Sequence, residues 1–392
     1  MTVEDRCLLL ALAVRQSAPM SQVAQTADRL LKKLEEAPAA HGQAAGSALR
    51  GAFASRGTRR RIHDVHAAVD GQDNVVFDRP AYGQAVLEYV WDNYDVLRDP
   101  LLTWLVEIAT DNGDAKAQAV KTLAHLTVRH GSSDYLTALG KSASSRPEVL
   151  ASVMEVAVSD EHIGPLAWDT LYRWAEHETY TAAVISLCRR VLRDPASTAA
   201  EKRAMVRLRR VAHSAATDAT REAVLEAFDE LAQQPSGAAR LVTEVRGWQQ
   251  KRTSARAGSL AFLALMTTPA DEPHSGTPWL VHPANTTGID VPGAVHDLLI
   301  DPHSKATAIL RLVDWIASCS GDEAAYSHLR DALLPALRSH DMLKAGMALM
   351  RKLEGVCTAR GSSVAEDFYQ HLVDPRLQPT FPLKDEREGD AT

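Results

Sequence analysis

A chain of 392 residues is longer than one compact core usually holds, which predicts several units or an open array. With 45% apolar and 24% charged residues it has the composition of a folded protein, and wholesale disorder is excluded. The net charge of −7 argues against wholesale binding to nucleic acid or an anionic membrane, although residues 1–80 hold +2 and residues 81–392 hold −9.

Taken in chain order, residues 3–14 predict an apolar helix, and Ser17-Ala18-Pro19-Met20 breaks it. A second helix spans 21–36, where Val23, Ala27, Leu30, Leu31 and Leu34 recur at spacings of three and four. A weaker third helix is expected over 44–55. Residues 61–69, an Asp70-Gly71 turn and Val75-Val76-Phe77 then read as a β-hairpin. Three helices followed by a hairpin give a winged-helix-like domain over residues 1–79.

From residue 80 onward no further strand is expected. Helices are predicted over 81–93, 99–110, 114–129, 133–141, 147–158, 164–177, 179–192, 198–213, 218–233, 237–250 and 256–267. They resume over 291–300, 303–319, 322–338, 341–357 and 362–373. Asp-Pro pairs at 99, 194, 301 and 374 look like helix starts, with Asp at the N-cap and Pro at the first helical position. Their spacings are unequal, so no sequence repeat is implied. Short loops force successive helices antiparallel, and the expected architecture is mainly α: an irregular HEAT-like α-solenoid behind the winged helix. The helical array covers 80–268, a proline-rich loop 269–290, C-terminal helical hairpins 291–375, and a polar, disordered tail 376–392.

Cys7, Cys188, Cys319 and Cys357 lie far apart, which suits buried reduced thiols and neither a disulfide framework nor a zinc site. The N-terminal apolar run over 7–14 follows Glu4 and Asp5 and is too short to span a bilayer. A cytoplasmic protein is expected.

Residues 75–110 contain Phe77-x-Arg79-Pro80-x-Tyr82, then a helix ending in Val90-Trp91, then Leu97-Arg98-Asp99-Pro100-Leu101-Leu102-x-Trp104-Leu105. This stretch, with the apolar helices over 6–14 and 23–34, resembles the region C-terminal to the nucleotide-binding module of STAND-type NTPases of high-GC bacteria. The resemblance extends over about residues 5–130. It implies a winged helix followed by helical repeats that serve as sensor or scaffold in a signalling or defence assembly. No GxxxxGK[ST] phosphate cradle occurs in the sequence, so the resemblance implies either that the NTPase is a separate chain and a partner or that the function has drifted.

The strongest candidate contact is Arg50, Arg56, Arg59, Arg60 and Arg61, with no acid between residues 37 and 63. In a DNA-binding winged helix such arginines neutralise phosphate from the third helix and the wing. Otherwise they cap helices and pair with acids of the array. Arg203, Arg207 and Arg210, spaced four and three on one helix, offer a second basic row, either a solvated face or a contact for an acidic partner. Trp279, inside the proline-rich loop, either plugs the array or anchors a partner. Trp91, Trp104, Trp168, Trp174 and Trp315 read as core. His63 and His66 would face opposite ways on a strand, so no metal site follows, and no nucleophile motif such as GxSxG is present. No catalytic residue or cofactor site is assigned. The first expectation is a non-enzymatic scaffold or adaptor for another protein; the alternative is a DNA-binding regulator using the N-terminal domain.

Overall fold

Thr2 starts the first helix, α1 (Val3–Arg15), with a capping box: its hydroxyl accepts from the Asp5 N–H at 3.2 Å, and its own N–H donates to the Asp5 carboxylate at 3.1 Å. In this computed structural model, residues 2–36, 58–79, 81–111, 114–194, 197–251, 253–268, 280, 283–338 and 340–373 are described. The chain is mainly helical with one small antiparallel sheet. It divides into two compact units, Met1–Arg207 and Leu208–Thr392.

In the first unit α1 is followed by β1 (Ser17–Pro19), α2 (Met20–Glu36), α3 (Thr58–Asp64), β2 (Ala67–Val69) and β3 (Asn74–Phe77). Then come α4 (Tyr82–Asn93), a 3-10 turn (Asp95–Leu97), α5 (Arg98–Ile108), α6 (Asp114–His130) and α7 (Ser133–Ser142). The series continues with α8 (Pro147–Ser159), α9 (Gly164–Trp174), α10 (Glu178–Arg193) and α11 (Thr198–Ser214), the helix in which the division falls.

The sheet has the order β1-β3-β2, with Ala18 opposite Val75 and Ala68 opposite Val76. The hairpin is where it was expected, and the Asp70 carboxylate closes its turn by accepting from the Gln72 and Asn74 N–H groups. Two details differ. Residues 61–64 are helical, because the buried residues Ile62 and Val65 are three apart, which is helical spacing and not alternation. Residues 17–19, expected only to break the helix, form a third strand. Pro19 is tolerated there because β1 is an outer strand. The expected third helix over 44–55 lies outside the described residues.

Beyond the sheet, helices pack both on their chain neighbours and on the helix two places further along: α5 on α6 and α7, α7 on α9, α6 on α8, and α8 on α9 and α10. Two layers of stacked antiparallel helices result, as in an α-solenoid. Trp91, Trp104, Trp168 and Trp174 are all buried between them. The predicted helices 114–129, 133–141 and 147–158 match α6, α7 and α8 to within one residue. Asp99 is not an N-cap, however. The 3-10 turn runs straight into α5, so Leu97 takes the cap position and Asp99 sits in the first helical turn.

The second unit stacks similarly. Its helices are α12 (Asp218–Ala232), α13 (Gly237–Gln249), α14 (Ala255–Leu265), the short α15 (Pro283–Thr286), α16 (Val291–Ile300), α17 (Lys305–Cys319), α18 (Glu323–Leu337), α19 (Leu343–Lys352) and α20 (Val364–Val373). Alternate helices α12, α14, α16, α18 and α20 form one layer, and α17 packs on α19 in the other. Trp315 is buried against Phe262, and the Arg311 guanidinium grips Asp229 at 2.6 and 2.7 Å. The predicted helix 341–357 ends early, at Lys352, because Gly355 turns the chain with φ +90°. Among the described residues no helix is long and apolar enough to cross a membrane.

Candidate interaction groove

The distinctive surface of the first unit lies between α1 and α4. Gly83 lets the two helices meet: a Cβ there would stand 3.0 Å from Phe77 Cε2 and 3.1 Å from the Ala13 Cα. From that contact the helices diverge. Val3, Arg6, Cys7 and Leu10 of α1 face Tyr82, Ala85, Val86, Tyr89 and Val90 of α4, each set at helical spacings of three and four. Leu34 of α2 and Tyr94, Val96 and Leu97 around the 3-10 turn complete the walls of a groove of ≈ 730 Å³. Cys7, Leu10 and Val86 form a buried floor, and the apolar rim is strongly exposed, at 67% for Val96, 60% for Tyr89 and 53% for Val3. A continuous apolar surface left open in this way is the physical signature of an interaction site.

Ion pairs on the other flank of α4 fix the groove walls. Glu88 accepts from His125 and Arg129 of α6, each at 2.7 Å, and Asp92 faces Arg129 and His130. Partial burial would raise the Glu88 carboxyl, but the hydrogen bonds from His125 and Gln84 and the Arg129 charge outweigh it and hold the group below its ordinary value. Trp91 is wedged against Tyr135, and the Arg98 guanidinium lies over its ring while Nε donates to the Trp91 carbonyl at 3.0 Å. On the α2 side, Trp104 donates to the Thr26 carbonyl at 3.1 Å, Arg29 meets Asp111 at 2.7 Å, and Lys33 meets Glu107 at 2.8 Å. The groove is therefore preformed, and its walls need no ordering on binding. Burial pushes the Cys7 thiol up to about 11, so the sulfur in the groove wall is protonated and unreactive. Among the described residues Arg6 is the one charged side chain in the lining.

Family models, curated proteins and solved structures give no match.

The residues singled out from sequence are scattered. Arg50, Arg56, Trp279 and the Arg59 side chain lie outside the described residues. Arg60 is exposed on α3. Arg61 points to α1, and its Nε donates to Asp5 at 2.9 Å. Asp5 is only 4% exposed. Burial would raise its carboxyl, yet the Thr2 and Arg61 hydrogen bonds and the Arg61 charge hold it below the ordinary value. Arg61 thus ties α3 to the α1 cap and is not a free phosphate contact.

The row Arg203, Arg207 and Arg210 does not present one exposed face. Arg203 is exposed and Arg210 half-buried, but Arg207 is buried: it donates to the Trp168 carbonyl at 2.8 Å and lies 5.0 Å from the Trp168 ring centre. Arg207 is therefore a core residue and not a partner contact. His63 sits on α3, and His66, at φ +56°, turns the chain into β2. Among the described residues no three His, Cys, Asp or Glu groups are placed to hold a metal.

Reading the sequence missed the groove, although a signal was present. Residues 82–91 are apolar at Tyr82, Ala85, Val86, Leu87, Tyr89, Val90 and Trp91, which is too wide a stripe for one buried face. Leu87 and Trp91 meet the core, and Tyr89 and Val90 face the groove.

Proposed function

We propose that this chain is a non-enzymatic adaptor built of irregular HEAT-like helical hairpins. It works in the cytoplasm and binds another protein through the groove between α1 and α4. The observation that carries this reading is a rigid, open, apolar groove of ≈ 730 Å³ lined by exposed Tyr89, Tyr94 and Val96. Aromatic residues concentrate at protein interfaces because they offer large contact area at small entropic cost. The ionisable groups beside the groove, Glu88, Asp92, His125 and Arg129, hold helices together, as scaffold residues do. The groove includes Tyr82 and Leu97, from the stretch that resembles the region following the nucleotide-binding module of STAND-type NTPases. A separate NTPase of a signalling or defence assembly is accordingly the partner class we favour.

The test is affinity capture from the native host with the full chain and with Val96→Asp. Val96 is 67% exposed, so the charge spares the fold and places a carboxylate in the groove. One stoichiometric protein is expected with the wild type and lost with the variant. Capture of no stoichiometric protein, or of one that Val96→Asp retains, contradicts the reading.

A further inference from the structure

The walls of the groove define the kind of segment that fills it. Both long walls are helices, α1 of 13 residues and α4 of 12. Each shows the groove a stripe at spacings of three and four, and the valley between two adjacent helices is the shape into which the ridges of a third helix pack. At 1.5 Å per residue the lined stretches, Val3–Leu10 and Tyr82–Val90, run about 12–14 Å, the length of roughly two to three helical turns.

An extended segment gains less here. Strand addition draws its affinity from an open row of backbone N–H and C=O groups. The walls are helical, with their backbone groups already paired within each helix, and neither β1 nor β2, the outer strands, contributes to the lining. A helix brings its own backbone satisfied and needs only an apolar face.

Charge adds the second constraint. Arg6 is exposed, lines the groove and forms no ion pair among the described residues. Among the described residues no acid lines the groove to answer it. In a symmetric pair of copies groove would meet groove, and among the described residues neither lining would offer a carboxylate to the other's Arg6. A different protein with an acid at that place satisfies both the apolar walls and the cation.

We propose, building on the adaptor reading above, that the groove between α1 and α4 receives an amphipathic α-helix of the partner, whose apolar face lies against Tyr89 and Val96 and whose acidic side chain pairs with Arg6. Three anchors at i, i+3 or i+4, and i+7 occupy the valley, and the Tyr hydroxyls remain at the wet rim.

Selection from a displayed library of random peptides, roughly 16 residues long to span the walls, tests this on the immobilised full chain, with counter-selection on Val96→Asp. The enriched peptides are expected to repeat apolar residues at spacings of three and four and to hold Asp or Glu on one flank. By fluorescence anisotropy they should bind Val96→Asp about tenfold more weakly or worse. On an Arg6→Glu chain the enriched flank should change to Lys or Arg. No enrichment over the counter-selection, apolar residues alternating with period two, or unchanged acids on Arg6→Glu each overturn the proposal. So does self-association of the chain by sedimentation that Val96→Asp abolishes, which would make a second copy the occupant. The two readings separate cleanly. If host capture depends on Val96 while the peptides fail, the adaptor stands and the helical ligand falls; if capture fails as well, both fall.

Discussion

Gly83→Ala probes the helix contact from which the groove opens. The new methyl carbon would lie 3.0 Å from Phe77 Cε2, 3.1 Å from the Ala13 Cα and 3.3 Å from the Ala13 carbonyl oxygen, where ordinary carbon contacts begin near 3.4 Å. Phe77 is half-buried and can swing aside, but the clash at Ala13 is with backbone in the buried stretch 10–14 of α1, which cannot. Overpacking of this kind costs about 1–3 kcal/mol, and the better helix propensity of Ala returns at most ~1 kcal/mol, less near a helix start. A net loss of ~1–2 kcal/mol is expected, which lowers the thermal midpoint of the first unit by roughly 2–8 °C. The matched control is Gly247→Ala, late in α13, where a Cβ meets nothing within 4 Å. There the same change should stabilise by about 0.5–1 kcal/mol through backbone entropy. Circular dichroism melts read the signs, and hydrogen exchange of peptides covering α4 and α13 assigns each shift to its own helix. If Gly83→Ala stabilises as Gly247→Ala does, α4 does not approach α1 this closely and the groove geometry is wrong.

Arg207→Ala should cost ~2–4 kcal/mol, since it empties core volume and removes the guanidinium from Trp168. Arg203→Ala, on the same helix but exposed, should stay within about 0.5 kcal/mol in the same urea titration. Asp5 has a folded-state carboxyl pKa below its unfolded value. Its contribution is therefore complete above the ordinary carboxylate range and lost as pH falls through the depressed folded value, so Asp5→Asn should flatten the fall in urea midpoint on acidification. Arg61→Ala should destabilise by about 1–3 kcal/mol by leaving the Asp5 charge without its guanidinium; no change in midpoint would return Arg61 to the surface. Of the four cysteines, Cys357 is exposed, whereas burial pushes the thiols of Cys7, Cys188 and Cys319 up to about 11, 12 and 11. One thiol should react with an aromatic disulfide reagent at pH 8, and four after unfolding.

The helical array was legible because its apolar residues repeat with the helical turn, as in α6, α7 and α8, and local spacing is all that such a reading needs. What escaped depends on residues far apart in sequence. Nothing near Arg61 announces that Asp5, at the cap of α1, accepts its hydrogen bond. The spacing of Arg203, Arg207 and Arg210 resembles a basic face, but Trp168, 39 residues earlier, draws Arg207 into the core. Strand β1 has three residues, one of them proline, and too little length to show alternation. Cys357, expected to be buried with the other thiols, sits on the surface beside the Gly355 turn. The groove was hidden for a different reason: composition marks Tyr89 and Val96 as core candidates, and only the fold reveals that they stand exposed.

The claim that the partner seats between α1 and α4 is tested most directly by photo-crosslinking. A benzophenone side chain replaces Tyr89 in one full-length chain and, as a control, Tyr172 of α9, which is exposed but does not line the groove. After irradiation in host extract, the account predicts a single covalent adduct to a co-purifying protein from position 89 and none from position 172. An adduct from position 172 alone, or equal adducts from both, would contradict it.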